Sequence, residues 1–211
     1  MGSDTRDGEG NDIDGHENAG ARSDVTILLH VSADRRSTYG VSLPRDAMVG
    51  RPSCEGTEGE RLPPVDPVIF NDAFSVGGPL CTVRQVEHIT GIYMDHTVVI
   101  DFNGFVDMVD AVHGVEVCIP RDVVDPEHDI NLQAGRHLVT GDEALDYVRE
   151  RNYLSVNGDI GRMRRQQAFV ASMVDRVISA DTLTKPTRLY NFLDAATDSL
   201  QLDEDLEAWA R

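Results

Sequence analysis

Short apolar runs set between turn residues alternate along this chain with longer runs bounded by helix caps. That alternation confines it to the layered α/β architectures. VTILLHV (25–31) and YGVSLP (39–44) read as two strands joined by a turn around Asp34–Ser37. GGPLCTVRQVEHITG follows, with Pro79 suited to the first helical position and Gly91 to the residue past the end. HTVVIDF (96–102) reads as a strand, FNGFVDMVDAV as a short amphipathic helix and VEVCIP (115–120) as another strand. TGDEALDYVRE opens with Thr140 and Glu143 in capping-box spacing and is expected to bury Ala144, Leu145 and Val148. A helix from about Ile160 to Ser179 places Met163, Gln167, Val170, Val174 and Val177 on one stripe. Residues 50–67 read as a Pro/Gly loop and 121–139 as irregular, and a last pair of helices is expected in 186–198 and 203–211. The 211 residues suit one domain with a core of its own.

The charge is unevenly spread. There are 19 Lys plus Arg against 37 Asp plus Glu, a formal net charge of −18. DNA binding needs a broad basic face, so this charge argues against nucleic acid as a partner and ranks a DNA-binding regulator last among the readings. Yet Arg149, Arg151, Arg162, Arg164 and Arg165 fall within the single run YVRERNYLSVNGDIGRMRRQQ. In so acidic a chain this cluster points to a local site for a multiply charged anion, because the guanidinium fork matches phosphate bidentately. No stretch of the sequence approaches the roughly 20 apolar residues of a membrane span. Met1 opens onto GSDTRDGEGND, a polar loop of the kind that follows a strand.

Cys54 lies in the Pro/Gly loop and Cys81 at the start of a helix whose apolar stripe is Leu80, Val83, Val86 and Ile89. Cys81 falls beside that stripe. A Cys54–Cys81 bridge would contribute about 3 kcal/mol in the chain-entropy model and imply an oxidising compartment. The alternative is that all three cysteines are small buried hydrophobes. Cys118, inside an apolar run, reads as core.

Arg149 and Arg151 lie about 200° apart on a continuous helix, so they serve one site only if the helix ends between them. Arg162 falls in the first turn of the next helix, where free N–H groups favour anions. Arg165 and Gln166 follow one turn later on the same side. For Arg164 and Arg165 the competing reading is pairing with surface carboxylates such as Glu150 or Asp146. ARSD sets Arg22 and Asp24 just before the first strand, and SLPRD sets Arg45 and Asp46 just after the second. If the strands pair as a hairpin, these four residues converge at one edge of the sheet. Asp4 with Asp24 would suit Mg²⁺, which takes one or two carboxylates and completes its shell with water and phosphate oxygens.

GSDTR, ARSD, SLPRD, FNDAFSVGGP, VEHITGIYMDH, VVIDFNGFVDMVDAVHGVEVCIP, AGRHLVTGDEALDYVRER and GDIGRMRRQQAF occur here in the order seen in the LytR–CpsA–Psr family. The chain resembles an actinobacterial member from about residue 2 to about residue 180. The resemblance implies a catalytic domain over residues 1–180, with a helical extension at 181–211. It implies a central mixed β-sheet flanked by helices, with an apolar pocket for a prenyl tail between them. It further implies an extracytoplasmic transferase that moves an anionic glycopolymer from a polyprenyl-pyrophosphate carrier to peptidoglycan, working at the membrane surface through its lipid substrate. Mg²⁺, or Mn²⁺ in its place, would be held by Asp4 and Asp24. The pyrophosphate would be clamped by Arg22, Arg45, Arg149, Arg151, Arg162 and Arg165, with Asp46, Asp159 and Gln166 as polar positions around the clamp. Arg151, Arg162 and, as general base, Asp46 would carry the chemistry.

Three departures accompany the resemblance. The family's N-terminal transmembrane helix and the first core strand before GSDTR are expected upstream and do not appear among these residues, and its Lys–Ile/Leu–Asn segment reads Val68–Ile69–Phe70–Asn71. Phe102, Phe105, Val109, Val112, Phe169, Val170 and Met173 are candidates to line a lipid pocket, against the reading that residues at helical spacing are ordinary core. Two other functions share the same clamp: a polyprenyl-pyrophosphate pyrophosphatase and a non-catalytic lipid-phosphate binding protein.

Overall fold

The computed structural model describes residues 1–3, 23–126, 130–150, 153–154, 158–179, 186–187, 190, 192, 194 and 200–203; the side chains of residues 3, 24, 159 and 202 lie outside that description. The architecture is mixed α/β. The chain divides into two compact units, Met1–Asp101 with Leu200–Arg211, and Phe102–Ser199.

In the first unit the two expected strands pair as a hairpin. β2 (Ser23–Val31) runs antiparallel to β3 (Thr38–Leu43), with Thr26 opposite Leu43 and Val31 opposite Thr38. Ser32 closes the turn, its N–H donating to the Ser37 carbonyl at 2.9 Å and its hydroxyl to Asp34 at 2.7 Å. β1 (Gly2–Ser3) sits between β2 and β8 (Val98–Ile100), antiparallel to the first and parallel to the second. β13 (Leu200–Leu202) closes the five-stranded mixed sheet along β8. It falls between the two helices expected near the C-terminus. Asp203 holds it there: its carboxylate accepts the Thr97 N–H at 2.6 Å, and its own N–H donates to the Thr97 carbonyl.

The stretch expected as a loop at 50–67 contains strands. β4 (Met48–Arg51) pairs with β7 (Val65–Ile69), and β5 (Cys54–Glu55) with β6 (Arg61–Leu62). These pairings are short, and the glycines and prolines occupy the turns between them, so composition alone hides them. α1 (Asp72–Thr90) is broken at Gly78, where φ is +63°, and Pro79 opens its second segment. Gly91 ends it in the left-handed conformation, donating to the Glu87 carbonyl at 2.8 Å.

The expected α1 stripe is corrected. Val86 is buried as expected, but Leu80 is 75% exposed and Ile89 37%, and Cys81, Thr82 and Gln85 are buried in their place. The disulfide sets that face: Cys81 is bonded to Cys54 across 27 residues and packs in a small cluster with Ala73, Leu62 and Val76. A Cβ at Gly77 would stand 2.5 Å from the Glu55 carbonyl and 2.6 Å from the Cys81 Cβ. Only glycine lets the helix approach β5 closely enough for the bridge. Arg51, buried, joins the same corner through Asp72 at 3.3 Å and the Cys54 sulfur at 3.4 Å.

In the second unit β9 (Val115–Ile119) pairs antiparallel with β12 (Gly135–Val139), and β10 (Val123–Asp125) with β11 (Ile130–Leu132). The last three replace the irregular 121–139. Along β9, Val115, Val117 and Ile119 point inward while Glu116 and Cys118 point out. Cys118 is therefore a free, exposed thiol and not core; an unbroken apolar run on a strand still alternates faces.

α2 (Phe102–Ala111), α3 (Gly141–Arg149) and α4 (Asp159–Ile178) complete this unit. Val109, Val112, Phe169 and Tyr147 lie in its buried core, with Phe105, Met173 and Val177 packed against them. The rings of Phe105 and Phe169 are 5.3 Å apart. Five of the seven lipid-pocket candidates, Phe105, Val109, Val112, Phe169 and Met173, thus lie in or against this core. The α4 stripe is corrected too. Gln167 and Val174 are exposed, and the buried face runs Arg162, Arg165, Gln166, Phe169. Two buried arginines displaced the face that apolar spacing selected.

The N-terminus of α3 is capped from another helix. Thr140 is the N-cap in extended geometry but makes no side-chain cap bond. Asp110 on α2 accepts the Gly141 N–H at 2.8 Å instead. Asp110→Ala should lower stability by about 1 kcal/mol, the typical value of a lost N-terminal acceptor. Urea denaturation showing an unchanged midpoint would remove this bond from the forces holding α3.

Candidate functional site

In the second unit the helix ends before the second of two arginines set two positions apart. α3 stops at Arg149, and Glu150 is its C-cap with ψ at 132°, outside the helical range. Arg149 turns back over the Phe102 ring, its guanidinium carbon 5.0 Å from the centroid. Arg151 lies beyond the cap and outside the described residues. Continuation through both would have sent them to opposite sides.

α4 begins after Gly158, and the Arg162 N–H donates to the Gly158 carbonyl at 3.2 Å in its first turn. Arg162, Arg165 and Gln166 share one face as their spacing requires, and all three are buried, Arg162 with 4% of its surface exposed. Gln166 donates to the Val148 carbonyl at 3.1 Å, tying α4 to the last turn of α3. Arg165 donates through Nη2 to the Glu150 carbonyl, faces the Glu150 carboxylate at 3.7 Å and lies 5.6 Å from the Tyr147 ring centroid. Burial pulls its guanidinium below the ordinary value, and the Glu150 carboxylate opposes this. Burial also raises the Tyr147 phenol, against the pull of Arg165.

Glu150 corrects one premise of the sequence reading. It is not a surface carboxylate but 1% exposed. Its two carboxylate oxygens accept the N–H groups of Tyr153 at 2.5 Å and Leu154 at 2.8 Å. The pairing weighed against an anion role for Arg165 therefore exists, but as a buried ion pair. Nothing in the sequence marks Glu150 as buried except its place between two arginines. Arg164 is exposed.

In the first unit the hairpin register brings Ser23–Asp24 and Arg45–Asp46 to the same end. Asn71, just before α1, gathers both segments: its Oδ1 accepts the Ser23 N–H at 2.9 Å, and its own N–H donates to the Arg45 carbonyl at 3.0 Å. Arg45 and Asp46 pair at 3.5 Å, with Asp46 largely exposed. Asn71 was legible only as a position in a motif, not as the knot it forms. Asp4, Arg22 and Arg151 lie outside the described residues, as do the side chains of Asp24 and Asp159. Among the described residues no group of three or more His, Cys, Asp or Glu could hold a metal. A Mg²⁺ site built on two carboxylates, water and phosphate needs no such group, and the backbone of Asp24 lies at the Arg45–Asp46 end of the hairpin.

A mixed α/β chain with arginines gathered at the α3–α4 junction and charged residues at a hairpin end has counterparts among known proteins. A model of the LytR_cpsA_psr family matches residues 1–210, and the chain belongs to that family. It is 34% identical to the cell wall biosynthesis protein LcpA of Corynebacterium glutamicum over 98% of this chain and 44% of LcpA. It is 32% identical to the polyisoprenyl-teichoic acid–peptidoglycan teichoic acid transferase TagV of Bacillus subtilis over 78% of this chain and 41% of TagV. The crystal structure of TagV superposes with a TM-score of 0.68 at 29% identity, covering 86% of this chain and 66% of that one. The structure of TagT bound to LI-WTA gives 0.63 at 26% identity, covering 89% and 66%. The chain spans about half the length of the curated relatives it matches. Among its described residues no helix is long and apolar enough to cross a membrane.

Proposed function

We propose that this chain carries the catalytic site of a Mg²⁺-dependent phosphotransferase. It moves an anionic glycopolymer from a polyprenyl-pyrophosphate carrier to peptidoglycan at the extracytoplasmic face of the membrane. The observation that carries this reading is the burial of Arg162 in the first turn of α4, in the same unit as the end of α3 at Arg149, in a chain of net charge −18. A guanidinium in the first turn of a helix offers a diphosphate both positive charge and a planar pair of donors. The name of TagV supports the reaction class, and the Cys54–Cys81 disulfide supports an oxidising compartment.

The chemistry asks for charge neutralisation and in-line positioning more than for a covalent intermediate. A hydroxyl of a peptidoglycan sugar attacks the glycan-side phosphorus. A new P–O bond forms, the bond to the bridging oxygen breaks and polyprenyl phosphate leaves. Arg149, Arg151 and Arg162 orient the phosphates and offset the charge that builds on their oxygens, with Asp159, Arg165 and Gln166 as the positions around them. Asp46, exposed at the hairpin end, accepts the hydroxyl proton. Bound by Asp4 and Asp24, Mg²⁺ would add further neutralisation at the phosphate oxygens.

A product assay with lipid-linked glycan tests the reading. Glycan joined to peptidoglycan, with polyprenyl phosphate released only when acceptor is present, is the expected result. Release without acceptor would identify a pyrophosphatase, and binding without release a lipid-phosphate binding protein. Asp24→Ala should raise the Mg²⁺ concentration for half-maximal activity by about tenfold or more. A variant with the normal metal response would take Asp24 out of the metal shell.

A further inference from the structure

Three groups meet where the chain leaves α3, and none of them needs a ligand to do so. The Glu150 carboxylate receives the Tyr153 and Leu154 N–H groups on separate oxygens and faces the Arg165 guanidinium at 3.7 Å. The Glu150 carbonyl accepts from Arg165 as well. Tyr147, one turn back on α3, lies against the same guanidinium. Both ends of the ion pair are buried, and Glu150 separates Arg149 from Arg151 in sequence.

We infer that Glu150 is a positioning residue: with Arg165 it forms a buried joint that fixes where the chain turns out of α3, and so sets the placement of Arg149 at the helix end. This rests on the phosphotransferase reading above and divides its arginines. Arg165 acts through Glu150, while its neighbours meet the diphosphate. The geometry favours this assignment over direct ligation. A guanidinium held by a carboxylate, a backbone carbonyl and an aromatic face in the protein interior has most of its donor capacity already directed inward. The carboxylate likewise spends both oxygens on backbone N–H groups, which folds residues 153–154 back onto the helix end.

The two assignments predict opposite signs. If Arg165 binds the diphosphate directly, Glu150→Gln releases its charge toward the ligand and tightens binding, and Arg165→Gln stays weak whatever stands at 150. If the pair is a joint, Glu150→Gln weakens binding. Calorimetric titration of the whole chain with farnesyl pyrophosphate and Mg²⁺ reads this. We expect Glu150→Gln and Arg165→Gln each to raise Kd tenfold or more, and the double variant, whose neutral amides can pair with each other, to bind more tightly than either. Tighter binding by Glu150→Gln, or a double variant whose losses add, overturns the proposal. Should Glu150→Gln fail to fold, Arg165→Gln against the double variant carries the same comparison. Amide hydrogen exchange supplies a ligand-free reading, because Gln offers one carbonyl oxygen where Glu offers two acceptors. In Glu150→Gln, or in the double variant if only that folds, at least one of the Tyr153 and Leu154 amides should exchange tenfold faster; unchanged protection of both overturns the joint. A wild-type chain that binds neither farnesyl pyrophosphate nor inorganic pyrophosphate defeats the phosphotransferase reading, and exchange at these two amides still decides the joint.

Discussion

Arg162→Ala should lower kcat/KM for a polyprenyl-pyrophosphate-linked glycan by about 10²–10³-fold, the usual loss when one preorganised donor to developing charge is removed. Arg162 stands in the first turn of α4, where the helix dipole and the backbone N–H groups already favour an anion. The residue is 4% exposed and therefore acts in a medium of lower polarity than water. Because the side chain is buried, the variant is also expected to lose some stability, and thermal denaturation measured alongside activity separates the two effects. Arg162→Lys sharpens the test. It keeps the charge but not the planar fork, so a bidentate contact predicts an intermediate rate and a simple charge effect predicts near recovery. An Arg162→Ala protein that is folded and turns over normally would count heavily against the clamp.

Removing the Cys54–Cys81 bridge should cost about 3–4 kcal/mol, from closure of a loop whose ends are 27 residues apart. For a chain of this size that corresponds to a fall in Tm of roughly 10 °C. Calorimetry with and without reductant, or on Cys54→Ala/Cys81→Ala, measures it. Both cysteines are buried, at 3% and 1% exposure, so reduction is expected to be slow in the native state and faster on warming. Cys118, exposed and unbridged, should label first with an alkylating reagent. Mass spectrometry that finds Cys54 and Cys81 as free thiols in the native protein would end the prediction.

The hairpin of β2 and β3 and helices α2, α3 and α4 were legible because their apolar spacing and end residues agree with what the fold asks of them. So was the shared face of Arg162, Arg165 and Gln166, which follows from helical pitch alone. The failures have a common origin. Sequence spacing assigns faces by apolarity, whereas α1 and α4 bury polar or bonded residues and leave Leu80 and Val174 outside. Thr82 is buried because its hydroxyl donates to the Gly78 carbonyl, and Arg165 because Glu150 comes with it. Neither partner is visible in a hydrophobic pattern. The strands of 48–69 and 121–139 escaped for another reason. They are two to five residues long, too short for a period of two to stand out. The cap on α3 comes from Asp110, about thirty positions upstream, where a local motif search does not reach.

Asn71 connects two stretches of chain that the sequence keeps far apart, through one side-chain oxygen and one backbone N–H. The end of the hairpin is therefore tied together: Ser23 and Arg45 are both bonded to one residue that carries no charge. Tuning one half of the chemistry there, in evolution or by design, will disturb the other half unless position 71 is adjusted with it.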